Sequence, residues 1–493
     1  MFFSFFAKCR LSMKRQFLLA PALVLLLSGC TSLAPEYKTP KAPIPDTYNQ
    51  QPKNPHNVMR SEKITSTHWR EYFSDPALQN LIADTLRENR DLKIATLRVQ
   101  EYQAMYGIQH ANRFPHIAAS ANVSRSLTPY DLNVTGTNLD STKYQLVANL
   151  SVWEIDFWGR VQNLEEAALE NYLSQESNQR AFQIALIAQV VNGYLGLREL
   201  DQRLALTDKT IETRQESYRI FKRRYEIGAT SELDLTQVET LLTQAKALKI
   251  QLEQLRDIQL QNLTFLVGKP INLQTETRYF DDILPFQELE PGLPSHLLTN
   301  RPDIVSAEHI LRSATANIGA ARAAFFPNIT LTGYAGSASA ELSGLFKSDS
   351  TTWGFVPQIT LPIFTAGKNQ ANLDIANVRR NQAVANYEKT IQNAFREVST
   401  ALTNQKWLTQ QLEVQAHILA IQKRRSHLAQ LRYDNGATPY LEVLDAQRDL
   451  LASEQAFVQA KRTLYANQVS LYTALGGDTT ATKDITPIQT KGQ

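Results

Sequence analysis

One seven-residue pattern occurs twice in this 493-residue chain and divides it into two copies of one design. Arg224-Tyr225-Glu226-Ile227-Gly228-Ala229-Thr230 is answered by Arg432-Tyr433-Asp434-Asn435-Gly436-Ala437-Thr438. Each reads as a tight reversal between two helices. Glycine enters the left-handed conformation after a last helical turn without the penalty a Cβ brings. Pro439 then suits a first turn, where no amide hydrogen is needed. A duplication of this kind constrains the whole fold, because both copies are built from the same succession of elements.

The segments that lead into the reversals are long. No proline occurs from Arg160 to Ile227, nor from Lys368 to Thr438, and strong helix formers fill both stretches. At about 1.5 Å per residue each is a helical path roughly 100 Å long. Leu204, Ile211, Tyr218 and Tyr225 fall seven apart, and the return limb carries Leu241, Ala245, Leu248, Leu252 and Leu255 at four-three spacing. Those periods predict two antiparallel coiled-coil hairpins, with tips near 228 and 436.

Ahead of each long helix the period changes to two. Ile117, Ala119, Ala121 and Val123 alternate with Ala118, Ser120, Asn122 and Ser124; Tyr144, Leu146, Ala148, Leu150 and Val152 alternate with Gln145, Val147, Asn149 and Ser151. In the second copy Ile329, Leu331, Gly333 and Ala335 alternate with Asn328, Thr330, Thr332 and Tyr334. Trp353, Phe355, Ile359, Leu361 and Ile363 then alternate with Thr352, Gln358 and Thr360. One face is apolar and the other small and polar, the signature of strands between lipid and water. Strands are expected over about 116–126, 143–154, 328–337 and 352–363. Trp153, Trp158 and Trp353 stand near their ends as candidate interfacial anchors, with core packing equally open for Trp158.

Met13-Lys14-Arg15, an apolar run from Phe17 to Leu27, and Leu27-Ser28-Gly29-Cys30 read as a secretory signal over 1–29. The stretch before Met13 reads as an upstream extension. Removing it with the signal deletes Lys8, Arg10, Lys14 and Arg15 from 51 basic residues, leaving 47 against 48 acids and a net charge of −1. That balance argues against nucleic acid as a partner. Six prolines between Pro35 and Pro55 make 30–67 an extended tether. A first repeat then spans 68–268, a proline-broken insertion 269–295, a second repeat 296–475, and a loose polar tail 476–493.

No enzyme chemistry emerges. Cys9 and Cys30 exclude a disulfide scaffold, the histidines show no metal-ligand spacing, and Gly268-Lys269 lacks the spaced glycines of a phosphate loop. The mature chain keeps only Met59 and Met105, too few for a thioether relay for Cu(I). Neither a metal nor a cofactor is expected.

Four membrane strands cannot stand alone. An open edge in lipid leaves backbone groups unpaired at several kcal/mol each, and the smallest barrels have about eight strands. Closure therefore comes from other copies: a dimer gives a barrel filled by side chains, a trimer one with room for a lumen. The small polar face favours the trimer.

Leu-Ser-Gly-Cys30, the duplicated strand and long-helix pattern, Phe114-Pro115 with Phe326-Pro327, and the paired turns together resemble the TolC-like outer membrane factor family, in its OprM-type lipoprotein branch. The resemblance implies an α+β membrane protein: a homotrimeric twelve-stranded outer membrane β-barrel, four strands per chain, continuous with a long antiparallel α-helical periplasmic tunnel. It implies diacylglycerol and N-acyl lipid on Cys30, outer membrane sorting, and an equatorial collar that takes in 269–295. The implied partners are a periplasmic membrane fusion adaptor and a proton-driven inner membrane transporter of RND or MFS type. Such proteins are exit ducts for drugs and other small toxic compounds. Carried over residue by residue, Arg432, Leu441 and Asp445 become the channel gate, while Gly228 and Gly436 become hairpin tips open to the adaptor. A helix-cap role also accounts for both glycines. The first turn departs from the pattern, with Gln237 where the second has Asp445. Two other readings stay open, a pore-less lipid-anchored coiled-coil scaffold and an exit duct for type I protein secretion.

Overall fold

The computed structural model describes residues 32–45, 47–48, 68–271, 273, 286, 294 and 297–477. The signal, Cys30, most of the 269–295 insertion and the tail after 477 lie outside the described residues.

The first copy runs α1 (Trp69–Tyr72), α2 (Pro76–Glu88), α3 (Arg90–Ala111), β1 (Ile117–Thr128), β2 (Leu139–Glu154), α4 (Arg160–Glu226) and α5 (Glu232–Val267). The second runs α6 (Leu297–Asn300), α7 (Pro302–Ala323), β3 (Asn328–Ser339), β4 (Thr351–Thr360), α8 (Lys368–Asp434) and α9 (Tyr440–Ala474). Helices α4 and α8 have 67 residues each. Among the described residues no helix is long and apolar enough to cross a membrane.

The sequential repeats are not the compact units. One unit gathers Met1–Lys41, Val99–Gln175 and Ala307–Tyr387; the other gathers Ala42–Arg98, Glu176–Ser306 and Glu388–Gln493. Each unit is assembled from both copies of the duplication.

The first unit holds the sheet, antiparallel in the order β1-β2-β3-β4. Its register aligns Ile117 with Leu150, Leu150 with Gly333 and Gly333 with Phe355, so the apolar sets of all four strands share one face. Asn122, Gln145, Thr332 and Val356 belong to the other. A bulge between Leu150 and Trp153 sets two residues of β2 against one of β3 and pairs Trp153 with Leu331. Trp153 thereby joins the apolar face, and Val152, expected there from alternation, leaves it. Strand β2 begins at Leu139, against the expected 143, because Leu139–Thr142 pair with Arg125–Thr128. Strand β4 stops at Thr360, before Leu361 and Ile363.

The N-terminal strap is more than a tether over residues 32–48. In the first unit Ser32 Oγ donates to Asn163 Oδ1 at 2.8 Å, and the Tyr37 hydroxyl donates to Glu308 at 3.1 Å. Arg312 stacks over the Tyr37 ring at 5.0 Å. In the second unit Tyr48 is buried, stacked on Phe395 at 5.1 Å. Proline keeps the backbone extended while the aromatic side chains dock.

The core of the second unit forms where α1 and α2 meet the long helices. Trp69, Tyr72, Phe73, Leu78 and Ile82 are buried against Ile187, Val191, Tyr194, Leu263 and Val469. Asp75 starts α2 by accepting from Ala77 and Leu78 N–H, and its second oxygen accepts the Tyr194 hydroxyl at 2.8 Å. Burial pushes the Tyr194 phenol up to about 12, offset in part by Arg198. Gly268 closes α5 at φ 82°, and a Cβ there would stand 2.6 Å from the Glu88 carbonyl, so conformation and space both require glycine.

The α4–α5 seam keeps its heptad but shifts its frame. Buried positions on α5 are Val238, Leu242, Ala245 and Leu252, continuing to Leu263. Leu255 is 42% exposed and Tyr225 43% exposed, both outside the seam. In place of Leu255 the seam takes Arg256, whose Nε donates to Asp201 at 2.6 Å; one heptad away Lys249 meets Asp208 at 2.7 Å. On α4 the deeper row is Leu200, Thr207, Arg214 and Phe221. A buried ion pair such as Asp201–Arg256 within an apolar seam is invisible to a search for apolar repeats, whereas the Lys249 pair is half-exposed at the seam's edge.

Candidate functional site

Both predicted tips lie in the second unit, and they touch. Each helix ends in the same double closure. Ala229 N–H reaches the Arg224 carbonyl at 2.7 Å and Gly228 N–H the Tyr225 carbonyl at 2.9 Å. Ala437 and Gly436 repeat this on Arg432 and Tyr433, both at 2.8 Å. Gly228 (φ 73°) and Gly436 (φ 71°) occupy the left-handed region with open space where a Cβ would project. Conformation alone demands glycine at both tips, the requirement of this helix ending.

The turns differ in how they start the return helix. Ser231 and Asp234 form a reciprocal capping box on α5, and Thr230 also donates to Asp234 at 3.0 Å. Those hydrogen bonds, with Ser231 first, hold the Asp234 carboxyl below its ordinary range. This answers what Asp234 does: it caps its own helix. On α9, Pro439 offers no side-chain cap, and the equivalent acid is the longer Glu442. Glu442 accepts from the Thr438 hydroxyl and from Arg432 Nη1, the latter at 2.9 Å.

The three carried-over residues stand together but do not pair with one another within the chain. Arg432 is spent on Glu442. Asp445 lies 3.2 Å from Arg448 Nη1, one helical turn on, and Arg448 also reaches Asp449 at 3.1 Å. Asp449 in turn accepts from Arg425 at 2.6 Å, the main reason its carboxyl is held low. Leu441 is 48% exposed, with no core of its own to enter.

The contact between the tips was not foreseen from sequence. Arg224 Nη1 donates to the Tyr433 hydroxyl at 2.5 Å, and the Tyr440 hydroxyl donates to Ser217 at 2.7 Å. The Tyr440 ring lies 4.4 Å from Phe221 and 4.7 Å from Tyr433. Leu444 closes the cluster against Phe221 and Val238. Within the second hairpin, Ala429, Val443 and Ala446 let α8 and α9 approach closely. The aromatic residues inside the repeated turn motif were the available signal.

The tryptophans divide. Trp353 is 74% exposed on the apolar face. Trp153 joins that face through the bulge, its Nε1 donating to the Arg113 carbonyl at 3.2 Å. Trp158 is packed instead, stacked on Phe326 at 4.8 Å and donating to the Pro327 carbonyl at 2.8 Å. Among the described residues no group of His, Cys, Asp or Glu is placed to hold a metal.

A sheet with one lipid face and one wet face, joined in sequence to long hairpins, defines a subunit of an outer membrane channel. The family profile described as outer membrane efflux protein matches residues 81–269 and 293–477. The chain belongs to that family. It is 40% identical over 465 residues to the probable efflux pump outer membrane protein TtgC of Pseudomonas putida, covering 94% of this chain and 96% of that one. It is 38% identical to the cation efflux system protein CusC of Escherichia coli, covering 93% and 99%. Among solved structures, the open-state MtrE outer membrane channel of Neisseria gonorrhoeae matches with a TM-score of 0.83 at 35% identity, over 91% and 98% of the two chains. The fold class read from the sequence, a trimeric twelve-stranded outer membrane barrel with a long helical tunnel, is this family's. The chain is an outer membrane efflux channel protein that extends into the periplasm, and it is not an enzyme.

Proposed function

We propose that three copies of this chain form the passive, gated exit duct of a tripartite pump. Its cargo is drugs or other small toxic compounds, delivered by a proton-driven inner membrane transporter of RND or MFS type through a periplasmic adaptor. The observation that carries this reading is the sheet. Its apolar set shares one face across four strands, and within the chain β1 and β4 each have a neighbour on one side only. Lipid does not tolerate such edges, and three copies supply twelve strands.

A second surface supports oligomerisation. Trp407, Val414, Ile421 and Leu428 recur every seven residues along α8, each between 47% and 59% exposed. That is an unpartnered coiled-coil seam. Assembly around a threefold axis gathers Leu441, Asp445 and Arg432 from three copies into a ring. Because Arg432 and Asp445 already have partners on their own chain, opening such a ring reshuffles existing ion pairs. Cys30 is the proposed lipid anchor, and the docked Ser32 two residues later supports an anchorage fixed to the sheet-bearing unit.

Conductance in planar bilayers tests the duct. The protein should form pores, and Asp445→Ala, alone or with Arg432→Ala, should raise their conductance. A purified protein that forms no pores removes the duct reading and leaves the scaffold. Unchanged conductance in the double variant removes the gate assignment.

A further inference from the structure

The buried polar rung of the α4–α5 seam is ion-paired, Asp201 with Arg256, and a half-exposed pair, Asp208 with Lys249, flanks the seam one heptad on. The next basic residue in the seam toward the tip is Arg214, and it has no such partner. It is 3% exposed, deeper than many of the leucines around it. Its Nη1 donates to the Leu241 carbonyl at 2.6 Å, while Nε and Nη2 are buried and meet no acceptor. Burial pulls its pKa down from the ordinary arginine value, and among the described residues Tyr440 is the ionisable group whose field opposes this. Tyr440 opens α9 and covers this stretch of α4, bonded to Ser217 and with its ring tilted against Phe221.

A guanidinium buried with most of its donors unsatisfied costs stability that an apolar side chain of similar volume recovers. An apolar residue would continue the row of Leu200 and Phe221. The cost is concentrated where the two hairpins meet.

We propose that Arg214 is a built-in wedge: a buried cation without an anion that holds the contact between the hairpin tips near its opening point. Separation of α9 from α4 admits water to the guanidinium and removes the penalty, so the charge favours the open tip. The proposal rests on the gate reading, since a wedge matters only where the tips part.

Hydrogen exchange on the full-length protein, read by mass spectrometry at 217–224 and 440–446, measures the opening directly. In Arg214→Met, exchange at both tips should slow by at least about tenfold, and Arg214→Leu should do the same. Arg214→Lys, which keeps the charge, should stay within about threefold of the parent. Exchange at α1 and α2 reports that each variant is folded. Unchanged or faster tip exchange in both apolar variants overturns the wedge, and so does slowing in Arg214→Lys equal to that in Arg214→Met. Slowing of tip exchange together with unchanged conductance in the Asp445→Ala, Arg432→Ala double variant would sink the gate and leave Arg214 as a wedge between the hairpins; the opposite pair of results would do the reverse.

Discussion

Arg224 at the end of α4 donates to the hydroxyl of Tyr433 at the end of α8, so equivalent corners of the two repeats are tied by a single 2.5 Å hydrogen bond. The equivalent arginine, Arg432, turns back to its own Glu442 at 2.9 Å. The duplication has thus been broken at one atom pair. The first hairpin's arginine reaches across to its neighbour, and the second hairpin's stays at home. A charge-assisted bond in a partly exposed place is worth about 1 kcal/mol. Tyr433→Phe and Arg224→Ala should each raise channel opening by roughly fivefold. The double variant should add little to either, because both remove the same bond. Single-channel recording in a double-mutant cycle checks this, and additive effects would show that the two residues act separately.

Phe355 and Val356 are neighbours on β4, 63% and 56% exposed in the single chain. Register puts Phe355 with Gly333 on the apolar face and Val356 with Thr332 on the wet face. An arginine facing lipid near the membrane midplane costs about 2–4 kcal/mol, whereas the lumen side accepts charge. Phe355→Arg should therefore reduce the folded, heat-modifiable trimer recovered from outer membranes, and Val356→Arg should leave its yield near the parent's. Equal losses would mean the faces have been assigned the wrong way round.

Much of this was legible in the sequence because it rests on period. Alternation gave the apolar face on all four strands, and the glycines at 228 and 436 marked both reversals. Period failed wherever a residue was paired. Arg256 holds a seam position because Asp201 neutralises it, and a search for leucines passed over it to reach the exposed Leu255. The bulge at Leu150–Trp153 adds one residue to one strand, which alternation within that strand cannot reveal. At the tip, Arg432 and Asp445 came from the resemblance, and Glu442, which Arg432 meets within the chain, was not considered from sequence. Glu442 and Asp445 lie one helical turn apart, and Asp445 meets Arg448 instead.

Glu454, half-buried on α9, has its carboxyl pushed up by burial and only partly brought down by Lys423 and Lys209. Its folded pKa lies above the unfolded value of 4.5. Below that value the group is protonated in both states and costs nothing. As pH rises through the folded pKa the ionised form is penalised, so stability falls with pH over this window. Glu454→Gln should raise the melting temperature at pH 7, with a gain that shrinks as pH falls and vanishes below 4.5. A gain independent of pH would assign the effect to packing.

Gly319 lies inside α7, where glycine weakens a helix by about 1 kcal/mol relative to alanine. Propensity alone therefore predicts that Gly319→Ala is stabilising. Space predicts the opposite. A Cβ at 319 would stand 2.7 Å from the backbone nitrogen of Ala34 and 2.5 Å from the Asn163 amide. Asn163 also accepts the Ser32 hydroxyl, and Arg322 holds the Leu33 carbonyl at 3.1 Å, so the strap cannot yield without losing those bonds. The side-chain amide can rotate, but the backbone nitrogen can move only with the strap. Space should win locally. Gly319→Ala is expected to keep its helix and release residues 32–37, so that trypsin cuts after Lys38 and Lys41 at least about tenfold faster while the rest of the chain resists. Arg322→Ala, which removes one strap bond without filling the gap, should accelerate the same cuts by only a few fold. If Gly319→Ala is cut no faster than the parent, the strap is held elsewhere and the gap at Gly319 is incidental.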